Sequence, residues 1–182
     1  MVRLLLLLAT VLSASQAFAD DDFGFFGAFY SKSGVAPVSN DLYKTNCAEC
    51  HFAYQPGLLP KRSWQKLMLV ESLADHFGDN AELDEQDRLL LLTYLISNAA
   101  DSADYKRSKK MMRSLGENET RLRITMVPYF KREHHEITLK MITVNHKLKS
   151  WSNFADCHRA AARGSFDAYG VCIRVFGRWA ES

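Results

Sequence analysis

The five residues Cys47-Ala48-Glu49-Cys50-His51 constrain this chain more than any other stretch. Two thiols three positions apart, on a turn entering a helix, can reach the two vinyl groups of one porphyrin. The next residue then offers its imidazole to the iron, which is the C-x-x-C-H attachment pattern of c-type haem. Two blander readings compete: a redox dithiol, which has no use for the adjacent histidine, and half of a zinc site, which wants another close Cys or His pair. The N-terminus bears on the choice. Arg3 precedes an apolar run from Leu4 to Leu12, followed by small residues and the A-x-A pattern Ala17-Phe18-Ala19. Together these describe an export signal over residues 1–19. A spanning helix needs about 20 apolar residues, and Gln16 and Asp20 to Asp22 end this run too early. The mature chain is therefore expected to be soluble, not membrane-spanning, in an extracytoplasmic, oxidising space. Exported cysteines usually pair, so by count alone Cys47, Cys50, Cys157 and Cys172 also allow two disulfides. The histidine beside Cys50 favours haem.

A damaged copy of the pattern follows near the C-terminus. Phe154-Ala155-Asp156-Cys157-His158 keeps the second cysteine and the histidine, with Phe154 in place of the first cysteine. Alone, such a pair is equally a buried thiol beside a surface histidine. Cys172 lies too far along the chain to restore the motif by local spacing. Composition sets the frame: 47% hydrophobic and 12% aromatic residues exclude a disordered tail, and a net charge of +2 gives no support to nucleic-acid binding.

The hydrophobic pattern is mostly helical. Residues 20–40 are rich in Gly, Ser and Phe and read as an extended arm. From Ser63, the residues Trp64, Leu67, Met68, Leu73, Ala74 and Phe77 recur at helical steps, and Gly78 is placed to stop the helix. Asp84 reads as the N-cap of a second helix carrying Leu91, Leu92, Leu95 and Ile96 and ending near Asn98. Lys106 to Arg113 gives a third helix, and Pro128 suits the first turn of a fourth. Ile137 to Val144 drifts towards strand-like alternation and stays open.

Electron transfer at a haem iron needs a second axial ligand, normally His or Met. His76 lies near a helix end beside Phe77, close in sequence to the first motif. His134 shares a stripe with Phe130, Ile137 and Met141 and should face inwards, where an unpartnered ring nitrogen is costly. His135 turns to a polar face, and His146 reads as exposed.

At this point the sequence resembles the bacterial periplasmic dihaem cytochromes c. The likeness rests on the Cys-Ala-Glu-Cys-His run with Tyr54, Pro56, Leu58, Leu59 and Pro60, then Ser63-Trp64 and His76-Phe77-Gly78. It continues through Tyr94-Leu95, Asn98 to Asp101, Arg123-Ile124-Thr125, Phe130-Lys131-Arg132 with His134, Cys157-His158, and Gly164 to Asp167. The resemblance implies a mainly α, two-lobed fold packed around haem with long loops, with a first haem lobe over 41–105 and a second over 106–182. It implies two haem c groups, each with two histidine ligands. Carried over by position, Cys47, Cys50 and His51 serve the first haem and Cys157 and His158 the second; His76 and His134 match the remaining ligands, assigned by proximity to the first and second. It implies electron exchange, not catalysis, with an oxygen-binding monohaem cytochrome or a membrane cytochrome b. Phe154 departs from the family pattern. Either the second haem hangs from the single Cys157 thioether and two iron–histidine bonds, or the site stays empty and the protein carries one haem.

Two histidines keep iron six-coordinate in both oxidation states and lower its potential relative to a His–Met pair. Arg62, Arg121, Arg123 and Arg132 are candidates for charge near the haem propionates, and Lys106 to Lys110 for docking an acidic partner. A peroxidase-like or gas-binding haem protein would instead need one open iron position. A haem-free disulfide protein would be colourless.

Overall fold

Asn40 opens the first helix by accepting a hydrogen bond from the Tyr43 backbone N–H, and helix α1 then runs Asp41–Cys47. A computed structural model describes residues 32–144, 148, 150–168, 171–173 and 177–178. The expected export signal (1–19), residues 20–31 of the arm and His146 lie outside the described residues. Within them the protein is mainly α. A 3-10 turn at Pro56–Leu58 leads into α2 (Lys61–Leu67) and α3 (Val70–Ala74). Then come α4 (Glu85–Ser97), α5 (Lys106–Arg113), α6 (Pro128–Glu133), α7 (Leu139–Thr143) and α8 (Phe154–Cys157). Two-residue strands β1 (Cys172–Ile173) and β2 (Gly177–Arg178) pair antiparallel.

The local chemistry explains most boundaries. Asp84 accepts from the Asp87 N–H at 2.9 Å and starts α4, while Pro128 sits in the first turn of α6, where its missing N–H costs nothing. The apolar spacing from Trp64 to Phe77 predicts one helix, yet two form. Leu69 is extended (φ −67°, ψ 145°), and the Met68 carbonyl accepts from the Arg88 guanidinium at 2.8 Å. Tertiary contact thus outweighs the local pattern. The open segment at Ile137 to Val144 contains the short helix α7, capped by Thr138.

One apolar cluster crosses the expected lobe boundary at 105/106. It joins Leu58, Trp64, Leu91 and Leu95 to Met111, Val127, Phe130 and Phe154. A smaller cluster holds Ile142, Leu148 and Val171. The start of the described chain is fastened to the far end by two glycines. Gly34 and Gly164 both have positive φ, at 74° and 77°. A Cβ on Gly34 would collide with the Gly164 carbonyl oxygen, and one on Gly164 with that of Val35. That close approach lets Val35 N–H donate to Gly164 O at 2.9 Å, while Arg107 N–H donates to Gly34 O at 3.1 Å. Among the described residues no helix is long and apolar enough to cross a membrane.

Candidate cofactor centres

The fold brings the four singled-out histidines together as two pairs. His51 and His76 have ring centroids 6.3 Å apart, and His134 and His158 are 6.1 Å apart. Imidazole–metal bonds of about 2.0–2.1 Å, with each ring centre about 1.1 Å behind its nitrogen, put two axial imidazoles about 6.2–6.4 Å apart. Both pairs therefore have the spacing of two rings sharing one metal. Among the described residues no three or more metal-ligating side chains converge. A pair of imidazoles leaves the other coordination positions to a tetrapyrrole, and the zinc reading has no third protein ligand.

The first pair is built from a helix end and a loop. Cys47 closes α1 and packs half-buried against the core, whereas Cys50 is exposed. Burial pushes the Cys47 thiol up to about 11, so it stays protonated at neutral pH. His51 Nδ1 lies 2.8 Å from the Phe52 carbonyl. A carbonyl only accepts, so Nδ1 carries the proton and the Nε2 lone pair is left for a metal. His76 follows α3, in a turn whose backbone bridges to Asp79. Its neighbour Phe77 has φ 62°, an unusual conformation for a residue with a side chain. The Arg123 guanidinium lies 3.8 Å from the Phe77 ring centre and braces that turn. Burial, then the nearby His51 and Arg123, lowers the His76 pKa, favouring the neutral ring a metal requires.

The second pair faces an apolar cavity of about 170 Å³ whose walls include Phe130, Trp151, Phe154, Phe166 and Cys157. His134 ends α6, with Nδ1 donating to the Phe130 carbonyl at 2.8 Å and its ring stacked on Phe130 at 4.0 Å. Its Nε2 is likewise free to coordinate. His158 follows α8, and its backbone bridges to Val171. Burial, then the charges of His134 and Arg107, pushes its pKa down to about 4. Burial also holds the Cys157 thiol up at about 11. Phe154 is buried, stacks on Phe130 at 5.6 Å and meets Phe166 edge-on at 6.2 Å. The position that would hold a first thiol is thus core. Val171, which pairs with His158, precedes Cys172 in β1, so the backbone of Cys172 reaches the neighbourhood of Cys157.

Each pair keeps one polar atom without a partner among the described residues: Nδ1 of His76 and Nδ1 of His158 are buried and unbonded. Buried polar groups are seldom left so in a finished structure. Tyr54 links the two centres, stacked on His51 at 4.9 Å and edge-on to Phe154 at 5.0 Å. Its hydroxyl donates to Ser152 O at 2.6 Å.

The other candidates fall elsewhere. Arg62 donates to the carbonyls of Glu119 and Gly116. Arg121 pairs with Glu119, and Arg132 lies over the Tyr129 ring. His135 is exposed and bonds to Arg132 O. Sequence reasoning missed Tyr54 as the link and Arg107 as a cavity residue. Tyr54 stood three residues after the first motif, but nothing in the spacing revealed what it would touch.

The chain matches the family described as dihaem cytochrome c over residues 43–166. Among solved structures it is similar to a diheme cytochrome c from Rhodobacter sphaeroides, with 42% identity and a TM-score of 0.63 over 72% of this chain and 100% of that one. It is also similar to the diheme cytochrome c of Shewanella baltica OS155, with 35% identity and a TM-score of 0.62 over 77% of this chain and 97% of that one. No curated protein sequence matches.

Proposed function

Because this chain belongs to the dihaem cytochrome c family, a family of haem c electron carriers, we propose that it is an exported carrier with two bis-histidine haems. The first is held by Cys47 and Cys50 with His51 and His76 on its iron; the second is held by Cys157 alone with His134 and His158. The single observation that carries this reading is the repeated ring spacing, 6.3 Å and 6.1 Å, in two separate parts of the chain. Haem iron supplies a one-electron couple. The protein's part is to orient His51 and His134 through their hydrogen bonds to the Phe52 and Phe130 carbonyls, to keep His76 and His158 neutral by burial, and to shield the second centre behind aromatic side chains.

Export rests on the pattern over residues 1–19, which places the mature protein in the periplasm. The partners that suit such a carrier are a soluble monohaem cytochrome and a membrane cytochrome b. Intact mass of protein matured in a host with haem-attachment machinery tests the reading directly: two haems are expected. Carbon monoxide added to the reduced protein should leave its spectrum unchanged, since both irons are capped on both sides. A single haem overturns the second site, and a clear spectral shift favours an open, peroxidase-like or gas-binding iron.

A further inference from the structure

Arg107 is a charged cavity residue that neither the motifs nor the histidine pairs account for. It projects from α5 into the cavity that holds His134, Cys157 and His158. Its two terminal nitrogens donate to the Tyr129 hydroxyl at 3.2 Å and the Phe166 carbonyl at 3.1 Å. Its guanidinium lies 5.9 Å from the Tyr129 ring centre and 5.7 Å from that of Phe166. Its Nε is buried with no hydrogen-bond partner among the described residues. No carboxylate among the described residues lies within ion-pair distance of it. Glu133, the acidic residue on the cavity wall, is exposed and stands 3.8 Å from Arg132 instead.

A partly buried guanidinium with a spare donor and no anion is an unbalanced arrangement. Burying a charge costs free energy unless it is paired and hydrogen-bonded. The surrounding structure nevertheless fixes this one from several sides. The Arg107 backbone N–H is held by Gly34 O, so the Gly34–Gly164 approach sets where the side chain starts. Tyr129 and Phe166 then hold its head. What the arrangement lacks is an anion arriving with the cofactor.

Resting on the two-haem reading, we propose that Arg107 is the carboxylate anchor of the second haem: its Nε–H and guanidinium receive a propionate while the apolar walls receive the porphyrin face. Arg107 is a positioning residue that acts on the cofactor's acidic edge. Its charge also favours the reduced iron, because reduction adds an electron close to a fixed cation.

The test is a redox titration of the holoprotein, with haems counted by intact mass in the same preparations. The second haem, keeping one free vinyl, is identified by its longer-wavelength α band. Arg107→Gln should shift that haem's midpoint downwards and leave the other in place. Arg107→Lys keeps the charge and should recover most of the shift. Loss of one haem in Arg107→Gln but not in Arg107→Lys supports the anchor equally. Two haems with neither midpoint moved, or a Lys variant indistinguishable from the Gln variant, overturns the proposal while leaving the two-haem reading intact. A wild-type mass with a single haem overturns both.

Discussion

The two histidine pairs have nearly equal spacing and are built in different ways. The first rests on a loop. Cys50 is exposed, Phe77 is 42% exposed, and the His76 turn is braced from outside by Arg123. The second lies in an aromatic pocket, with Phe154 only 6% exposed where the first motif has a thiol. The ring planes differ as well, at 27° in the first pair and 85° in the second. On the proposed two-haem reading, covalent attachment and packing are alternative ways to hold a cofactor, with a buried ring at Phe154 where the first motif has a thiol.

The sharpest way to break this comparison is Cys157→Ala. It removes the only thiol of the second motif and should lower the intact mass by one haem. Cys47→Phe writes the second motif's pattern into the first and should keep both haems, with a red-shifted α band from the newly free vinyl group. Two haems in Cys157→Ala would show that packing alone suffices.

Next in size is the aromatic wall itself. Phe154→Ala removes a buried ring that touches Tyr54, Phe130 and Phe166, and should cost about 3–5 kcal/mol in urea unfolding. A loss below about 1 kcal/mol, the scale of an ordinary surface change, would remove Phe154 from its role as wall.

Acid acts on the same pocket. The His158 pKa falls from 6.5 when unfolded to about 4 when folded, so between these values the folded protein binds fewer protons than the unfolded chain. Stability is therefore lost as pH falls from about 6.5 to about 4, by at most ~3 kcal/mol. His76 and His134 are shifted in the same direction. Unfolding free energies that stay flat from pH 7 to pH 4 would contradict the buried, neutral imidazoles.

The smallest effect costs no stability. Parallel imidazole planes split the two iron orbitals that interact with the rings, whereas perpendicular planes leave them nearly equal. The oxidised protein should therefore give two distinct low-spin electron paramagnetic resonance signals, with the larger maximum g value from the 85° pair. Two identical signals would erase this difference between the centres.

Much of the site was legible before folding was considered. The first motif announced itself by spacing, and the second by its surviving Cys157-His158. His134 could be read as inward-facing from its stripe with Phe130, and the caps at Asp84 and Pro128 set helix starts through chemistry within a few residues. The break between α2 and α3 could not be read, because it depends on Arg88, some twenty positions downstream, binding the Met68 carbonyl. Arg107 was invisible for the same reason: in sequence it is one basic residue in the run Lys106 to Lys110.

What the chain's own order of residues determined is the chemistry available: which thiols, which imidazoles, and which helices present them. Only the tertiary structure decided the pairing of those imidazoles, the angle between each pair of rings, and the placing of Tyr54 between the centres. Covalent spacing acts over a few residues and is written locally. The meeting of His134 with His158, or Gly34 with Gly164, depends on packing between segments far apart in sequence, and no local pattern records it.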